Sequence, residues 1–214
     1  MRWGIAALVL VAAIAVVAIV GWTPQGPAPR TARPAGFQGV MAADIPVAHT
    51  PPGGYGRTFP APVLARCTEP LAAGAPDLRG IWKTLSATRG GKPAAKDDPI
   101  WHYAERIEQC GDRIVDMGGG TIADARADGT MADGVHDVWF RDYKTPIHVV
   151  ASFEDGVFVL RPLLIPHVPV TLPFIAVKRR LDSEGHMIWT RPDLGGLRVV
   201  LKRIGEATDG YKRE

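Results

Sequence analysis

The chain has 214 residues and a formal net charge of +3, with 25 lysine and arginine residues set against 22 acidic ones. Because the two signs are interspersed, the sequence lacks the concentrated basic patch that nucleic-acid binding requires. Its two cysteines, Cys67 and Cys110, form no Cys-x-x-Cys pair, which argues against a zinc ribbon or a thioredoxin-type site. We therefore predict no nucleic-acid partner, no metal site and no cofactor.

An uncharged apolar run opens the chain, from Trp3 to Trp22. At helical rise, a run of this length spans about 30 Å, the thickness of the hydrocarbon core of a bilayer. A cleaved signal peptide is the alternative, but its apolar region usually covers about 7–15 residues and ends at a small-x-small cleavage site. We predict that residues 1–22 form an uncleaved transmembrane anchor, and Arg2 favours a cytoplasmic N-terminus.

Proline and glycine recur throughout residues 23–61. Each proline removes a backbone donor and fixes φ, so this stretch favours neither a helix nor a central strand. We interpret it as a semi-extended linker that holds the following domain, residues 62–214, away from the membrane. A domain of this size can bury one substantial core.

Short apolar runs separated by turn signals fill the chain from Asp77 onward. An acidic residue followed by glycine supplies the positive φ of a tight hairpin at several of the breaks. Apolar and polar residues alternate in several runs, as in half-buried antiparallel strands. The strand candidates are residues 80–87, 103–109, 113–117, 121–129, 134–140, 147–153, 156–162, 171–181, 186–190 and 197–204, and only residues 97–103 favour a short helix.

This series of hairpins predicts a mainly β fold, an antiparallel up-and-down β-barrel. Closure into a barrel removes exposed strand edges. A β-sandwich is the alternative, but it needs longer crossover connections than the sequence offers. Cys67 and Cys110 either form one disulfide or remain unpaired thiols, and a disulfide would favour an extracytoplasmic, periplasmic location.

Gly80-Ile81-Trp82 opens the first predicted strand, and Arg198 lies in the last one. This arrangement resembles the G-x-W motif of lipocalins and of the wider calycin superfamily. The resemblance implies that Trp82 closes one end of the barrel and that Arg198 packs across its ring. It also implies that the partner is a small hydrophobic molecule or a lipid.

A barrel of this size can enclose one small ligand, which it would bind by burying apolar surface. The alternative is that the same side chains fill a solid core. A shift of one residue in register would move them to the other face. The apolar faces give six candidate ligand-binding residues: Val149, Phe153, Val159, Phe174, Ile188 and Trp189.

Two other functions stay open at this point. A calycin-type enzyme, an isomerase or a hydrolase, would use interior polar side chains such as His136 and Arg161. A solid barrel would instead serve as a protein-interaction module of the cell envelope. The sequence contains no motif for a catalytic nucleophile or a phosphate loop, so we predict a membrane-anchored ligand-binding protein of the extracytoplasmic space rather than an enzyme.

Overall fold

The computed structural model of the chain describes residues 33–129, 137–138, 142–165, 168–171 and 176–212. The strands are β1 (Gly80–Arg89), β2 (Lys92–Pro93), β3 (Ala104–Cys110), β4 (Arg113–Gly118), β5 (Thr121–Arg126), β6 (Asp137–Val138), β7 (Pro146–Glu154), β8 (Val157–Ile165), β9 (Val168–Thr171), β10 (Val177–Leu181), β11 (Met187–Arg191) and β12 (Leu197–Gly205). Two short 3₁₀ helices cover Ala42–Asp44 and Pro99–His102.

Among these residues, no helix has both the length and the apolar character needed to cross a bilayer. The predicted anchor, residues 1–22, lies outside the described part of the chain. The anchor therefore stays a prediction.

Nine strands form a nearly closed antiparallel barrel, and a tenth, the two-residue strand β6, lies at its seam. The order around the barrel is β5-β4-β3-β1-β12-β11-β10-β8-β7-β6, while β2 pairs with β1 and β9 pairs with β8. The last strand, β12, pairs with the first, β1. At the seam, the Gly129 N–H donates to the Ala151 carbonyl at 2.8 Å. The predicted antiparallel barrel is therefore confirmed.

Local sequence explains both the strands and their turns. In β12, Leu197, Val199 and Leu201 are buried, and the residues between them are more exposed, so the alternation read from the sequence holds. Asp155 and Gly156 both have positive φ where β7 turns into β8. An acidic residue and a glycine tolerate that conformation better than most residue pairs, which is why this hairpin turns there.

The segment that leads into β1 covers one end of the barrel, which we call the Trp82 end. Leu78 is fully buried there, and its carbonyl accepts a hydrogen bond from Trp82 Nε1 at 2.7 Å. Gln109 accepts from the Leu78 N–H at 2.6 Å and donates to the Pro76 carbonyl at 3.0 Å. These bonds satisfy the backbone of a segment that is not part of the sheet.

The outer wall of β3, β4 and β5 is also covered. Residues 40–67, which we call the outer strap, lie against it. A second apolar core forms in this interface, and its buried members are Ala42, Ile45, Phe59, Leu64, Ile81, Cys110, Val115, Met117 and Ile122. The barrel wall is therefore buried on both faces at these strands.

Buried charges on the wall hold the backbone of the outer strap. Arg113 forms a bidentate ion pair with Asp124, at 2.6 and 2.8 Å, and both side chains are about 4% exposed or less. Arg113 also donates to the carbonyls of Ala42 and Ile45, and Asp124 accepts from the Ala48 N–H at 2.8 Å. The strap therefore receives from side chains the hydrogen bonds that it cannot obtain from a sheet.

The structure thus differs from the predicted linker over residues 33–61. Proline and glycine do exclude regular elements there, apart from one 3₁₀ turn. They do not prevent burial, because the wall supplies partners for the backbone. From Met41 onward this stretch belongs to the domain and does not act as a spacer.

A disulfide between Cys67 and Cys110 joins the end of the outer strap to the end of β3, with the two Cα atoms 6.1 Å apart. Glu69 lies beside this pair and could offer a carboxylate oxygen. Since the disulfide uses both sulfur atoms, no thiolate remains to bind a metal ion.

Candidate functional site

A charged cluster spans the interior of the barrel. Arg179 of β10 lies four strands from Glu105 of β3 around the sheet, yet its Nη2 is 2.7 Å from Glu105 Oε2. The same Nη2 donates to Asp116 of β4 at 2.5 Å. One guanidinium therefore bridges opposite walls through two carboxylates. We define the lumen cluster as Arg179, Glu105, Asp116, Tyr103 and Trp189.

Two aromatic rings complete the lumen cluster. Tyr103 donates its hydroxyl hydrogen to Glu105 Oε2 at 2.9 Å. Its ring stacks on that of Trp189, with the centroids 4.7 Å apart and the planes inclined by 18°. The Arg179 guanidinium lies 5.6 Å from the Trp189 ring centroid, within the range of a cation–π contact.

The strands position these side chains by ordinary pairing. Arg179 and Trp189 are directly opposite each other in the β10–β11 ladder, so their side chains share the inner face. Gly118 lies opposite Glu105 in the β3–β4 ladder. A Cβ atom at Gly118 would collide with the Tyr103 hydroxyl, so glycine is required where the tyrosine reaches the carboxylate.

Burial and charge set the protonation of the cluster. Burial opposes the positive charge of Arg179, but the nearby carboxylates of Asp116 and Glu105 outweigh it and hold the guanidinium pKa above its ordinary value. Burial, followed by the same two carboxylates, raises the pKa of Tyr103 well above its ordinary value. Tyr103 therefore stays a neutral hydrogen-bond donor at physiological pH.

Trp189 carries an unused donor. The residue is only 6% exposed, and its Nε1 is buried without a hydrogen-bond partner among the described residues. Such a group costs stability unless it finds an acceptor, so it marks a place where a ligand could bind.

Small side chains line the interior near the seam of the barrel. Ala125 and Ala127 lie at the end of β5 and just beyond it, Ala151 lies on β7, and all three belong to the inner core. We call these residues the alanine wall. An eight-stranded barrel is already wide enough for side chains to fill or for one small ligand. Alanine fills less volume than a larger apolar residue at the same inner position, and the diameter of a barrel grows with its number of strands.

The candidate ligand-binding residues divide between the two faces. Val149, Phe153 and Trp189 belong to the inner core or pack against it. Val159 and Ile188 instead line a groove of about 470 Å³ on the outer wall, together with charged side chains that include Lys178 and Arg180. Phe174 lies outside the described residues.

Strand periodicity explains this division. Phe153 pairs with Phe158, so the inner residues of β8 are Phe158 and Leu160, and Val159 between them points outward. Ile188 precedes Trp189 on the same strand, and adjacent residues cannot share a face. The predicted set therefore mixed residues of the inner face of the barrel with residues of its outer face.

Arg161, one of the two polar residues considered for catalysis, does not face the barrel interior. Arg161 lies on the outer face of β8, where it binds Glu154 at 2.7 and 2.9 Å and Ser152 at 3.1 Å. His136 lies outside the described residues. Among the described residues, Arg179 is a buried cation of the interior that the sequence prediction did not include. The signal was present, because Arg179 follows Val177 at the spacing of inward positions in β10.

The arginine implied by the lipocalin resemblance also differs. Arg198 is exposed and pairs with Thr88, six residues along β1 from Trp82. It therefore does not pack across Trp82. The residue opposite Trp82 is Arg203, and its side chain occupies the space that a Cβ atom at Gly80 would need.

No protein-family model and no curated protein matches this sequence. Function must therefore be inferred from the side chains of the barrel itself. Two features set its interior apart from a uniform apolar core, namely the lumen cluster and the alanine wall.

Proposed function

We propose that the protein is a lipocalin-like barrel that binds one small hydrophobic molecule in its interior. The observation that carries this proposal is the combination of nine barrel strands with the alanine wall. Small inner residues in a wide barrel leave volume that an apolar ligand can occupy. Burial of ligand surface would supply the binding free energy, at roughly 25 cal/mol for each Å² removed from water.

The lumen cluster supports the same proposal. Tyr103 and Trp189 offer aromatic surface on the inner face, and Trp189 Nε1 offers a donor. Ligand pockets commonly combine apolar walls with a few polar groups that fix orientation. The lumen cluster provides such groups on one side of the interior.

The resemblance to lipocalins, in this proposal, involves Gly80, Trp82 and Arg203. Cross-strand partners point to the same face, so Arg203 extends toward the Trp82 end of the barrel. The absence of a side chain at Gly80 makes room for it. An arginine and a tryptophan at one end would close that end and leave ligand entry to the other.

The proposed location is the extracytoplasmic face of a membrane. The uncharged run from Trp3 to Trp22 is long enough to anchor the chain. The disulfide between Cys67 and Cys110 suits an oxidising compartment. With such an anchor, the barrel would take up or release its ligand close to a lipid surface.

Native mass spectrometry of the full chain, purified from its own membranes, tests the proposal. We expect a co-purifying apolar molecule that solvent extraction removes. The stripped protein should then bind an apolar fluorescent probe. Bare protein that also fails to bind the probe would contradict the proposal and favour a solid barrel that acts through protein contacts.

A further inference from the structure

We propose that the outer face of β10, β11 and β12 is a docking surface for an extended acidic segment of a partner protein. Four exposed cations on this face flank a central row of shorter side chains. We call this surface the basic furrow, and its residues are Lys178, Arg180, Ile188, Thr190, Arg198 and Lys202. Because the furrow lies outside the barrel, the inference does not depend on what the interior binds.

Strand pairing builds the furrow. Lys178 and Arg198 both lie directly opposite Thr190, one on each neighbouring strand. Ile188 lies opposite Arg180 in the next row of outward positions and is only 3% exposed, which places it at the floor of the furrow. Neighbouring strands are about 4.8 Å apart, so β10 and β12 are separated by about 10 Å. That separation leaves room for one extended chain above β11.

Positive charge is concentrated on this face. Acids and bases are interspersed over the whole sequence, yet β10, β11 and β12 contain no acidic residue. On β12, Arg198 and Lys202 have no ion-pair partner among the residues that the structure describes. Like charges held on neighbouring outward positions repel one another. An acidic partner would relieve this repulsion, so the charge of the furrow identifies the chemistry of its partner.

Three acids border the furrow beside β10. Glu154 and Asp155, at the β7–β8 turn, line the outer groove together with Lys178. Arg161 already binds Glu154 at 2.7 and 2.9 Å. Asp182, which follows β10, accepts hydrogen bonds from backbone N–H groups of its own turn. We therefore expect the cations of β12 to contribute more to the binding of an acidic segment than those of β10.

The shape of the face favours a polypeptide over a lipid surface. The outer wall of a barrel is convex, so a flat bilayer would contact the tips of the flanking lysine and arginine side chains and leave the floor of the furrow unfilled. An extended segment can fill that floor and place a side chain in the adjoining groove of about 470 Å³.

The position of the furrow leaves it accessible. Arg179 of β10 reaches Asp116 of β4 across the interior, so the outer sides of these two strands lie on opposite sides of the barrel. The outer strap covers the side of β4. A partner can therefore reach the basic furrow while the strap stays in place.

A fluorescently labelled octamer of glutamate tests this recognition, and an octamer of glutamine with the same label is the neutral reference. Fluorescence anisotropy measures their binding to the full chain in nanodiscs of neutral phosphatidylcholine, with empty nanodiscs as the blank. We expect octaglutamate to bind at least about tenfold more tightly than octaglutamine. This preference should decrease as salt is added, because the charges are exposed.

Reversing two charges locates the binding surface. Arg198→Glu combined with Lys202→Glu should weaken octaglutamate binding by at least about tenfold. Arg66→Glu combined with Lys96→Glu is the matched control, since it changes the net charge equally at exposed turn positions outside the furrow. The control should change binding by less than about twofold. All four positions are exposed, so neither pair should disturb the fold.

The other outcomes would overturn the proposal. Equal weakening by the two double variants would show that net charge alone attracts the peptide. Octaglutamate that binds no better than octaglutamine would show that the furrow does not recognise acidic chains. Tighter binding to phosphatidylglycerol vesicles than to octaglutamate, at equal total charge, would identify a membrane as the occupant. Apolar-probe binding should be unchanged in Arg198→Glu with Lys202→Glu, which separates this test from that of ligand binding.

Discussion

At the scale of single residues, the pair of Arg113 and Asp124 is the clearest test of how the outer strap is held. Replacing Arg113 by Met leaves Asp124 charged, buried and without its partner, and it also leaves strap carbonyls without donors. We expect Arg113→Met to lower the free energy of unfolding by about 3–5 kcal/mol. Chemical denaturation monitored by tryptophan fluorescence measures this change.

An exposed ion pair provides the matched control. Arg79 and Asp77 are 2.7 Å apart, but their side chains are 48% and 47% exposed. Arg79→Met should change the free energy of unfolding by about 0–1 kcal/mol. Adding Asp124→Leu to Arg113→Met should recover part of the loss, because no lone charge is then buried. Equal losses for the two arginine variants would contradict this account of the strap.

Glu154 gives a prediction about pH. Hydrogen bonds from Arg161 and Ser152 lower the pKa of this carboxyl from 4.5 to about 2. The folded state therefore binds this proton more weakly than the unfolded state, so Glu154 stabilises the fold above about pH 4.5. This contribution is lost as the pH falls toward 2.

An NMR titration of the Glu154 side chain should show a midpoint near 2. In Arg161→Gln the midpoint should return toward 4.5, since the largest cause of the shift is then absent. A midpoint unchanged by that substitution would mean that Arg161 does not hold the carboxylate in solution. Because this pair is partly exposed, its effect on stability should be small and should weaken with salt.

At the scale of elements, the disulfide and the outer strap act together. The disulfide closes a loop with a sequence separation of 43 residues. Replacing both cysteines by alanine should lower the free energy of unfolding by about 2–4 kcal/mol, since the unfolded chain then gains freedom. In hydrogen exchange, the strap amides of Ala48 and Leu64 should lose protection before those of β1 and β12.

Reducing agent should reproduce both effects in the native sequence and should change nothing in the double alanine variant. Unchanged protection at Ala48 and Leu64 in that variant would show that the wall side chains alone fix the strap. Those side chains are Asp124, which accepts from the Ala48 N–H, and Glu108, which accepts from the Leu64 N–H at 2.7 Å.

The elements were more predictable from sequence than the faces they present. Turn signals and alternation located the strands, because both act within a few residues of chain. The inner face of β8 was misassigned, since apolar residues occupy both parities of Val157–Ile165 and only the pairing with β7 fixes the phase. The inward direction of Arg179 was missed for a related reason, because its partners come from strands far along the chain.

The outer strap was unpredictable for a different reason. Local sequence excludes helix and strand from residues 23–61, and that expectation was sound for the described part. Whether such a segment packs depends on the wall it meets. Arg113 and Asp124 belong to strands about 70 residues further along. Nothing within the segment itself signals those partners.

At the scale of the whole molecule, the outer strap covers β3, β4 and β5 from outside, and Arg179 connects opposite walls of the barrel inside. The alanine wall is the part of the interior where a larger side chain best distinguishes a solid core from a ligand-binding lumen. In a solid core, an added side chain forces its neighbours to move. In a ligand-binding lumen, it occupies space that the ligand would otherwise fill.

The measurement that tests ligand binding most directly is the effect of Ala125→Leu and Ala151→Leu on two quantities in ligand-stripped full chain. We predict a free energy of unfolding within about 0.5 kcal/mol of the parent and apolar-probe binding weakened by at least about tenfold. Ala73→Leu, at an exposed loop position, should change neither. A decrease of about 1–3 kcal/mol in the free energy of unfolding of both inner variants, together with no probe binding by the parent protein, would show a solid core and contradict the account.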